Sequence, residues 1–400
     1  MHQQRLKIYN GNAITPRGTV KNASILVTGN IITEISNSNI DVGDAIEIDA
    51  LGKFISPGFI DMHVHGASGH DFMDATEEAF LAIAAAHARF GTTAMLPTTL
   101  TGSKEDILDV LSVYDAANGK NENGSQFLGM HLEGPYLAMS QRGAQDPRYI
   151  RDPDEQEYKE IIASSKNIKR WSAAPELKGA IEFGKHLVSK NILPAIAHTD
   201  AIYEEAKEAF DNGYTLATHF YSAMSGVTRR NAYRYAGVVE AGYLIDEMDV
   251  EIIADGVHLP VPLLRLVYKI KGAHRTALIT DAIRAATMPE GESMIGSLKH
   301  GVKVIVEDGV AKLPDKSVFA GSVATADRLI RTMLSASIPL TDAVQMMSVT
   351  PARILNCNDR KGSLEIGKDA DIIIFDDQIK IDTTIINGRV VYRKGNSKNI

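Results

Sequence analysis

Short apolar runs alternate with longer amphipathic segments along most of the chain. Before Pro57 the runs are strand-like, and Gly, Asn and Asp turns separate them without an intervening helix, at 6–9, 23–27, 31–35 and 45–48. From Pro57 onward each run is followed by apolar residues at helical spacing. This pattern predicts strands at 58–65, 93–97, 127–133, 170–174, 193–198, 215–219, 250–254 and 277–281. It predicts helices between them at 77–90, 104–117, 155–164, 179–190, 203–212 and 262–271.

Eight repeats of strand and helix over this length predict an α/β fold, a (β/α)₈ TIM-like barrel. The link at 221–249 shows no clear order. After the eighth strand a Gly-rich stretch carries a hairpin at 302–312, then helices near 322–337 and 341–355, and finally strands at 371–375, 380–386 and 389–392. The β-rich ends predict a small β-sandwich completed by both termini. The predicted domains are therefore 1–56 and 357–400, the two parts of the sandwich, and 57–356, the barrel.

Candidate chemistry lies at the predicted strand ends, which form the active-site face of a barrel. His63 and His65 are two residues apart on the first strand, so both imidazoles point to one face. An isolated His-x-His pair is more often structural than functional. Here, however, the third strand ends in His131-Leu132-Glu133, and the fifth, sixth and eighth end in His198, His219 and Asp281. Together these side chains predict a site for one or two divalent metal ions and a metal-dependent hydrolase.

Composition narrows the classes of protein and the kinds of partner that the chain is compatible with. The 400 residues are 44% hydrophobic, enough for a large core, and no apolar run reaches the roughly 20 residues of a membrane span. The N-terminus lacks the pattern of a signal peptide, so we expect a cytoplasmic enzyme. One cysteine, Cys357, excludes a Cys-based metal cluster. A net charge of −8 without basic runs argues against nucleic acid or membrane as a partner, although an anionic small molecule remains compatible.

The strand-end residues also lie within longer sequence motifs that resemble the amidohydrolase superfamily. These are the Pro-Gly-Phe-Ile-Asp-x-His-x-His-Gly segment at 57–66, His-Leu-Glu-Gly-Pro-Tyr at 131–136, Ala-His-Thr-Asp-Ala at 197–201, Thr-His-Phe-Tyr-Ser-Ala-Met at 218–224, Ala-Asp-Gly-Val-His at 254–258 and Thr-Asp-Ala at 280–282. Within the superfamily they are similar to the N-acetylglucosamine-6-phosphate deacetylases. His-Leu-Glu-Gly-Pro is the most diagnostic, because other branches use a modified lysine near the fourth strand, and 170–174 offers none at its C-terminal end.

The resemblance implies roles for individual residues. Glu133, His198 and His219 would hold the principal metal, His63 and His65 would complete a second site, and Asp281 would be the general acid/base. The metal would be zinc, with iron, manganese or cobalt as alternatives; it would activate water and polarise the amide carbonyl. Arg230 and His258 would bind the sugar phosphate, and backbone N–H groups of Ser222 and Ala223 would add further hydrogen bonds to it. The remaining substrate contacts would come from Ala144, Gln145, Ala320, Gly321 and Ser322. A homodimer is implied because the neighbouring subunit often completes the phosphate site in this family.

Two single residues and one turn depart from the family pattern on the substrate side. Gln145 stands in a Gly-x-His-x-Pro loop where histidine is common, near the expected acetyl carbonyl or a sugar hydroxyl, and Ser222 replaces a usual asparagine. Residues 231–235 replace a shorter turn. The resemblance nevertheless implies hydrolysis of N-acetylglucosamine 6-phosphate to glucosamine 6-phosphate and acetate in amino-sugar catabolism. The alternatives are another N-acyl sugar such as the galacto epimer, a non-phosphorylated amide, or a non-catalytic relative; the complete set of ligands argues against the last.

Overall fold

Strands and helices alternate through the middle of the computed structural model, which describes residues 4–395. The parallel strands are Phe59–Val64, Thr92–Pro97, Gln126–Phe127, Met130–Glu133, Ile168–Ala173, Leu193–Ile196, Leu216–Ala217, Asp249–Ile253 and Thr276–Ile279. The helices are Glu77–Ala88, Lys104–Lys120, Glu155–Ser164, Ala180–Ser189, Tyr203–Asp211, Val238–Leu244, Val261–Arg275, Ala326–Ser335, Leu340–Met347 and Val349–Ile354. The predicted strand and helix order is therefore present.

The parallel strands form two hydrogen-bonded sheets. One has three strands in the order Gln126–Phe127, Thr92–Pro97, Phe59–Val64; the other has six, running in chain order from Met130–Glu133 to Thr276–Ile279. Single parallel bridges join the sheets on both sides, Thr98 with His131 and Val64 with Ala282. All strands of these two parallel sheets run in the same direction, so their C-terminal ends lie on one face of the molecule.

The predicted third strand, 127–133, is interrupted at Gly129. Residues 126–127 pair with Thr92–Pro97, whereas residues 130–133 pair with Ile168–Ala173. Gly129 has φ +130°, and a Cβ there would lie 2.1 Å from Lys169 Cγ. Only glycine fits this conformation and this close approach, and the chain can therefore change partners between the two sheets.

Strands from both ends of the chain share one eight-stranded sheet. Its strands are Arg5–Thr15, Gly18–Thr28, Ile31–Ser36, Ala45–Asp49, Phe54–Pro57, Ile372–Phe375, Ile381–Ile386 and Arg389–Arg393. The ends meet where Phe54–Pro57 pairs antiparallel with Ile372–Phe375. A separate group of buried apolar residues, including Ile8, Ile25 and Ile374, packs within this part of the chain. The two termini thus build one β-rich module.

Several elements differ from the predicted ones. The link at 221–249 contains a hairpin, Thr228–Arg230 with Tyr233–Tyr235, and the short helix Val238–Leu244. The predicted hairpin at 302–312 forms, but within a four-stranded antiparallel sheet of Gly291–Ile295, Val302–Glu307, Val310–Lys312 and Phe319–Ser322. Because 319–322 is a strand, the predicted helix 322–337 begins only at Ala326. The predicted helix 341–355 is divided at Ser348, whose φ of −139° is not helical.

Beneath the C-terminal face lies a buried ion pair. Arg170 and Glu251 are both 0% exposed and are joined by two hydrogen bonds, one of them from Arg170 Nη2 to Glu251 Oε2 at 2.5 Å. Arg170 also donates to Thr218 Oγ1 at 2.7 Å and to the Met62 carbonyl at 3.2 Å. Thr218 and Met62 directly precede His219 and His63, so this pair supports the backbone at two candidate ligands.

Among the helices of residues 4–395, none combines the length and the apolar sequence that a membrane span requires.

Candidate metal centre and active site

The five candidate metal ligands and Asp281 converge at the C-terminal ends of the parallel strands. His63 and Glu133 lie at the ends of Phe59–Val64 and Met130–Glu133, and the others follow their strands by one or two residues. His198, His219 and Asp281 have φ angles of 46°, 31° and 47°. Non-glycine residues rarely adopt this left-handed conformation, which costs about 1–3 kcal/mol each, and such strained residues cluster at functional sites.

The first group of donors is centred on one oxygen of Glu133. Glu133 Oε1 lies 3.0 Å from His219 Nε2 and 3.3 Å from His198 Nε2, and the two imidazole nitrogens are 3.2 Å apart. Glu133 is 2% exposed, and both histidines are buried. One carboxylate oxygen and two imidazole nitrogens thus face a common point.

The second group shares Glu133 and adds the histidine pair. His63 Nε2 and His65 Nε2 are 3.1 Å apart and lie 3.5 and 3.4 Å from Glu133 Oε1 and Oε2 respectively. Asp281 Oδ1 completes the group, 3.4 Å from His63 Nε2 and 3.2 Å from His65 Nε2. Glu133 therefore lies between the two groups.

Both groups fit a divalent metal. Within each of the sets His63–His65–Glu133 and Glu133–His198–His219, the potential ligand atoms lie within 4.8 Å of one another. Imidazole nitrogens and carboxylate oxygens are the donors that zinc and related metals take when no thiolate is available. Four Nε2 atoms around one carboxylate form a donor set that divalent cations would coordinate.

The outer nitrogens of the histidines differ between the groups. His198 Nδ1 donates to the Gln141 carbonyl at 2.8 Å and His219 Nδ1 to the Ser222 carbonyl at 3.1 Å. These bonds leave Nε2 free as a ligand and fix the rings. For His63 and His65, the buried Nδ1 atoms have no hydrogen-bond partner within residues 4–395. The first group is therefore the better oriented of the two.

Burial and close charges perturb the protonation of the site. Burial opposes ionisation of Glu133, but His63, His198 and His219 outweigh it and hold the carboxyl pKa well below its usual range. The pKa of Asp281 is lowered in the same way, since His63 and His65 overcome its desolvation. Burial disfavours the charged form of His65, yet Asp281 and Glu133 raise its pKa to about 9. Both carboxylates are thus stabilised in the ionised form.

Asp61 supports the site and was not identified as functional from the sequence. Its carboxylate accepts from Thr280 Oγ1 at 2.5 Å and from the His63 backbone N–H at 3.3 Å, which ties the first parallel strand to the last beside Asp281. Burial raises the pKa of Asp61 to about 7. The available signal was an acidic residue within an otherwise apolar run, Phe59-Ile60-Asp61-Met62.

A cavity of about 430 Å³ opens above the two groups. Asp281 and the candidate ligands other than His63 line it. Most of the predicted substrate residues line it as well: Ala144, Gln145, Ser222, Ala223, His258 and Gly321. Apolar residues such as Leu100, Ile295 and Phe319 form another part of the wall. The cavity therefore joins polar groups near the metal centre to an apolar rim.

His258 is held firmly at this wall. Asp255 accepts hydrogen bonds from its Nδ1 and its backbone N–H, both at 2.8 Å, and Phe319 packs against the ring at a centroid distance of 4.8 Å. Burial opposes ionisation of Asp255, but the adjacent His258 lowers the carboxyl pKa overall. Asp255 was missed at the sequence level, although its i, i+3 spacing to His258 was visible.

Three predicted substrate residues do not line the cavity. Arg230 lies on the exposed hairpin of residues 228–235, where its guanidinium group sits 5.6 Å from the Tyr235 ring centroid, so the chain does not bring it to its own cavity. Ala320 and Ser322 are buried on either side of Gly321. Ser322 instead donates its backbone N–H to the Asp281 carbonyl at 2.8 Å, which places it behind the wall.

The chain is similar to known proteins along most of its length. The model of the amidohydrolase family matches residues 54–391. The chain is 34% identical over 356 residues to an N-acetylglucosamine-6-phosphate deacetylase of Lysinibacillus sphaericus, covering 88% of each protein. It is 31% identical to an N-acetylgalactosamine-6-phosphate deacetylase of Escherichia coli, covering 94% of this chain and 97% of that one. The crystal structure of an N-acetylglucosamine-6-phosphate deacetylase from Pasteurella multocida superposes with a TM-score of 0.90 at 26% identity, over 96% of this chain and 99% of that one.

The chain belongs to the amidohydrolase family. It is a hydrolase acting on an amide bond, and its His and Glu cluster can bind metal. The three similar proteins described above are named as deacetylases of N-acetylated amino-sugar 6-phosphates.

Proposed function

We propose that this protein is a metal-dependent deacetylase that hydrolyses N-acetylglucosamine 6-phosphate to glucosamine 6-phosphate and acetate, a step of amino-sugar catabolism. One observation carries the proposal. Two groups of buried metal donors share Glu133 beneath a cavity large enough for a sugar phosphate, with Asp281 beside them. Relatives of 30–34% identity over most of the chain carry this activity in their names.

Glu133, His198 and His219 would hold the principal metal ion. His63 and His65 would hold a second ion, and Glu133 would be a ligand of both. Zinc is the proposed metal, and iron, manganese or cobalt would suit the same donors. When bound, such an ion activates water and polarises the amide carbonyl. The protein contributes fixed ligand orientation through the Gln141 and Ser222 carbonyls.

Asp281 is the proposed general acid/base. Its carboxyl pKa is lowered by His63 and His65, so the group is ionised at neutral pH and can accept a proton from water. It would then return that proton to the amine nitrogen, which is too basic to leave as an anion. Asp281 borders the cavity, and Ser322 N–H and the His63 carbonyl bond to its backbone, which fixes the position of its side chain.

The substrate contacts are proposed from the same cavity wall. His258, oriented by Asp255, and the backbone N–H groups of Ser222 and Ala223 would bind the phosphate. Ala144 and Gly321 would face the acetyl group or sugar ring, with Ala320 and Ser322 holding the turn around Gly321. Gln145 lines the same wall, but both ends of its side-chain amide bond to the protein. Arg230 would act on a neighbouring subunit's site, and we therefore propose a homodimer, as the family resemblance implies.

The finer features of the fold are also proposals. We propose that the two parallel sheets, bridged at Thr98–His131 and Val64–Ala282, close into a (β/α)₈ barrel spanning 57–356. Residues 4–56 and 357–395 would then form the small β-sandwich domain; the rest of its predicted bounds, 1–3 and 396–400, lies outside the described residues. A cytoplasmic location stays a prediction.

The decisive experiment compares acetate release from N-acetylglucosamine 6-phosphate, its galacto epimer and unphosphorylated N-acetylglucosamine, with the metal content of the same sample measured. Turnover confined to the phosphorylated gluco sugar is expected. His258→Ala should then raise KM for that substrate by at least about tenfold, since a charge-assisted hydrogen bond contributes about 1.5–3 kcal/mol. Weak turnover of all three by metal-loaded protein would contradict the substrate assignment.

The galacto epimer is the second candidate. It is favoured by the 31% identical relative named for N-acetylgalactosamine 6-phosphate and by the two departures on the substrate side, Gln145 and Ser222. Faster turnover of that epimer in the same assay would select it.

A further inference from the structure

Gln145 differs from its neighbours in the cavity wall because both ends of its side-chain amide are engaged by the protein. The Thr101 backbone N–H donates to Gln145 Oε1 at 2.9 Å, and Gln145 Nε2 donates to Glu133 Oε2 at 2.8 Å. A backbone N–H can only donate, so the carbonyl end must face Thr101 and the NH₂ end must face Glu133. The side chain is 7% exposed.

This hydrogen bond distinguishes the two oxygens of Glu133. Oε1 lies nearest to His219 and His198, at 3.0 and 3.3 Å, whereas Oε2 accepts from Gln145 and lies 3.4 Å from His65. The two oxygens are chemically equivalent, so a half-turn of the carboxylate would restore the same arrangement. The Gln145 contact opposes smaller rotations, because they would carry the accepting oxygen away from the NH₂ group.

The loop that carries Gln145 contacts a second candidate ligand as well. The Gln141 carbonyl accepts from His198 Nδ1, and the Gln145 backbone N–H donates to the Arg142 carbonyl at 3.0 Å. Gly143, with φ +57°, forms the turn between them. Gln145 is therefore held in place by its own loop while it holds Glu133.

We propose that Gln145 is a positioning residue of the metal centre, which fixes the orientation of Glu133 with Oε1 towards His198, His219 and His63 and Oε2 towards His65. The proposal rests on the proposed function. A neutral amide suits the role because it donates to the carboxylate without adding a charge beside the metal. Loss of such an outer contact typically weakens metal binding by about 10–100-fold.

The test measures Zn²⁺ affinity and catalysis separately. Wild-type protein, Gln145→Met and the control Gln156→Met are stripped of metal and titrated with Zn²⁺ against a chromophoric chelator. Gln156 makes the same kind of amide–carboxylate bond, to Glu160 at 2.9 Å, but on the exposed surface. We expect Gln145→Met to bind Zn²⁺ about 10–100-fold more weakly, KM at saturating Zn²⁺ to stay within about twofold, and the control to match wild type.

Wild-type Zn²⁺ affinity in Gln145→Met, with a raised KM, would overturn the positioning role and make Gln145 a substrate contact. Should Gln145→Met fail to fold, Gln145→Asn decides: it keeps the amide but is too short to reach from Thr101 to Glu133, and the same loss of affinity is expected. A wild-type protein that binds no Zn²⁺ or releases no acetate would instead overturn the proposed function, before any variant is considered.

Discussion

The buried Arg170–Glu251 pair gives a prediction whose size follows from its surroundings. Arg170→Met removes the guanidinium group and leaves a fully buried carboxylate without its partner. Breaking a buried ion pair in this way costs about 3–5 kcal/mol. The Met62 carbonyl also loses a donor, which adds about 1 kcal/mol. We therefore expect the free energy of unfolding to fall by about 4–6 kcal/mol.

A double variant separates the effect of the buried charges on stability from the effect of packing. Arg170→Met with Glu251→Leu removes both charges and leaves apolar side chains of similar size, so its stability should return to within about 2 kcal/mol of wild type. Arg5→Met is the matched control, because Arg5 and its partner Asp44 are 44% and 62% exposed and such pairs contribute little.

Urea unfolding can be monitored by the fluorescence of Trp171, the only tryptophan in the chain, which neighbours Arg170 and is 0% exposed. The reasoning fails if Arg170→Met costs less than about 1 kcal/mol, the range of exposed pairs. It fails equally if the double variant is as unstable as the sum of the single variants, since that result would show no coupling between the two charges.

Three further predictions concern the chemistry, the metal and pH. Asp281→Asn keeps the shape of the side chain but cannot accept a proton, so kcat should fall by about 10²–10⁴-fold with Zn²⁺ still bound; an unchanged kcat would exclude Asp281 as the acid/base. Chelation should abolish acetate release and lower the thermal midpoint, and added Zn²⁺ should restore both; full activity in metal-free protein would contradict metal dependence. Burial lowers the pKa of His87 from 6.5 to about 4, so the unfolded chain binds the proton more readily and stability should fall as pH drops from 6.5 to 4, by on the order of 3 kcal/mol. His87→Gln should lose less stability over that range, and equal acid sensitivity of the two proteins would refute the assignment.

Much of the architecture was predictable because local rules agree with the fold. The helix Glu155–Ser164 matches its predicted bounds, since Asp154 caps it through the Glu157 N–H and its apolar residues repeat at helical spacing. The helix Val238–Leu244 was missed because seven residues with an internal glycine give too short a pattern. The break at Gly129 was equally hidden, since it depends on the approach of Lys169 from the next strand.

The residues of the candidate site also fall into two sets, those that could be predicted from the sequence and those that could not. His63, His65, Glu133, His198, His219 and Asp281 were identifiable because each one ends or follows a strand, and parallel strands bring their ends together. Contacts between loops have no such periodicity. The bond from Gln145 to Glu133 and the carbonyl of Gln141 behind His198 depend on the path of one irregular loop, and the outward position of Arg230 depends on a hairpin that the pattern did not predict.

The shared terminal sheet has a consequence for synthesis of the chain on the ribosome. Phe54–Pro57 is made early, but the strand that pairs with it, Ile372–Phe375, emerges only after the parallel strands and their helices. Until then Phe54–Pro57 presents an unpaired edge of the kind that recruits other chains. We expect the nascent protein to need protection at this edge, and C-terminal truncation before residue 372 to yield aggregates rather than a smaller folded enzyme.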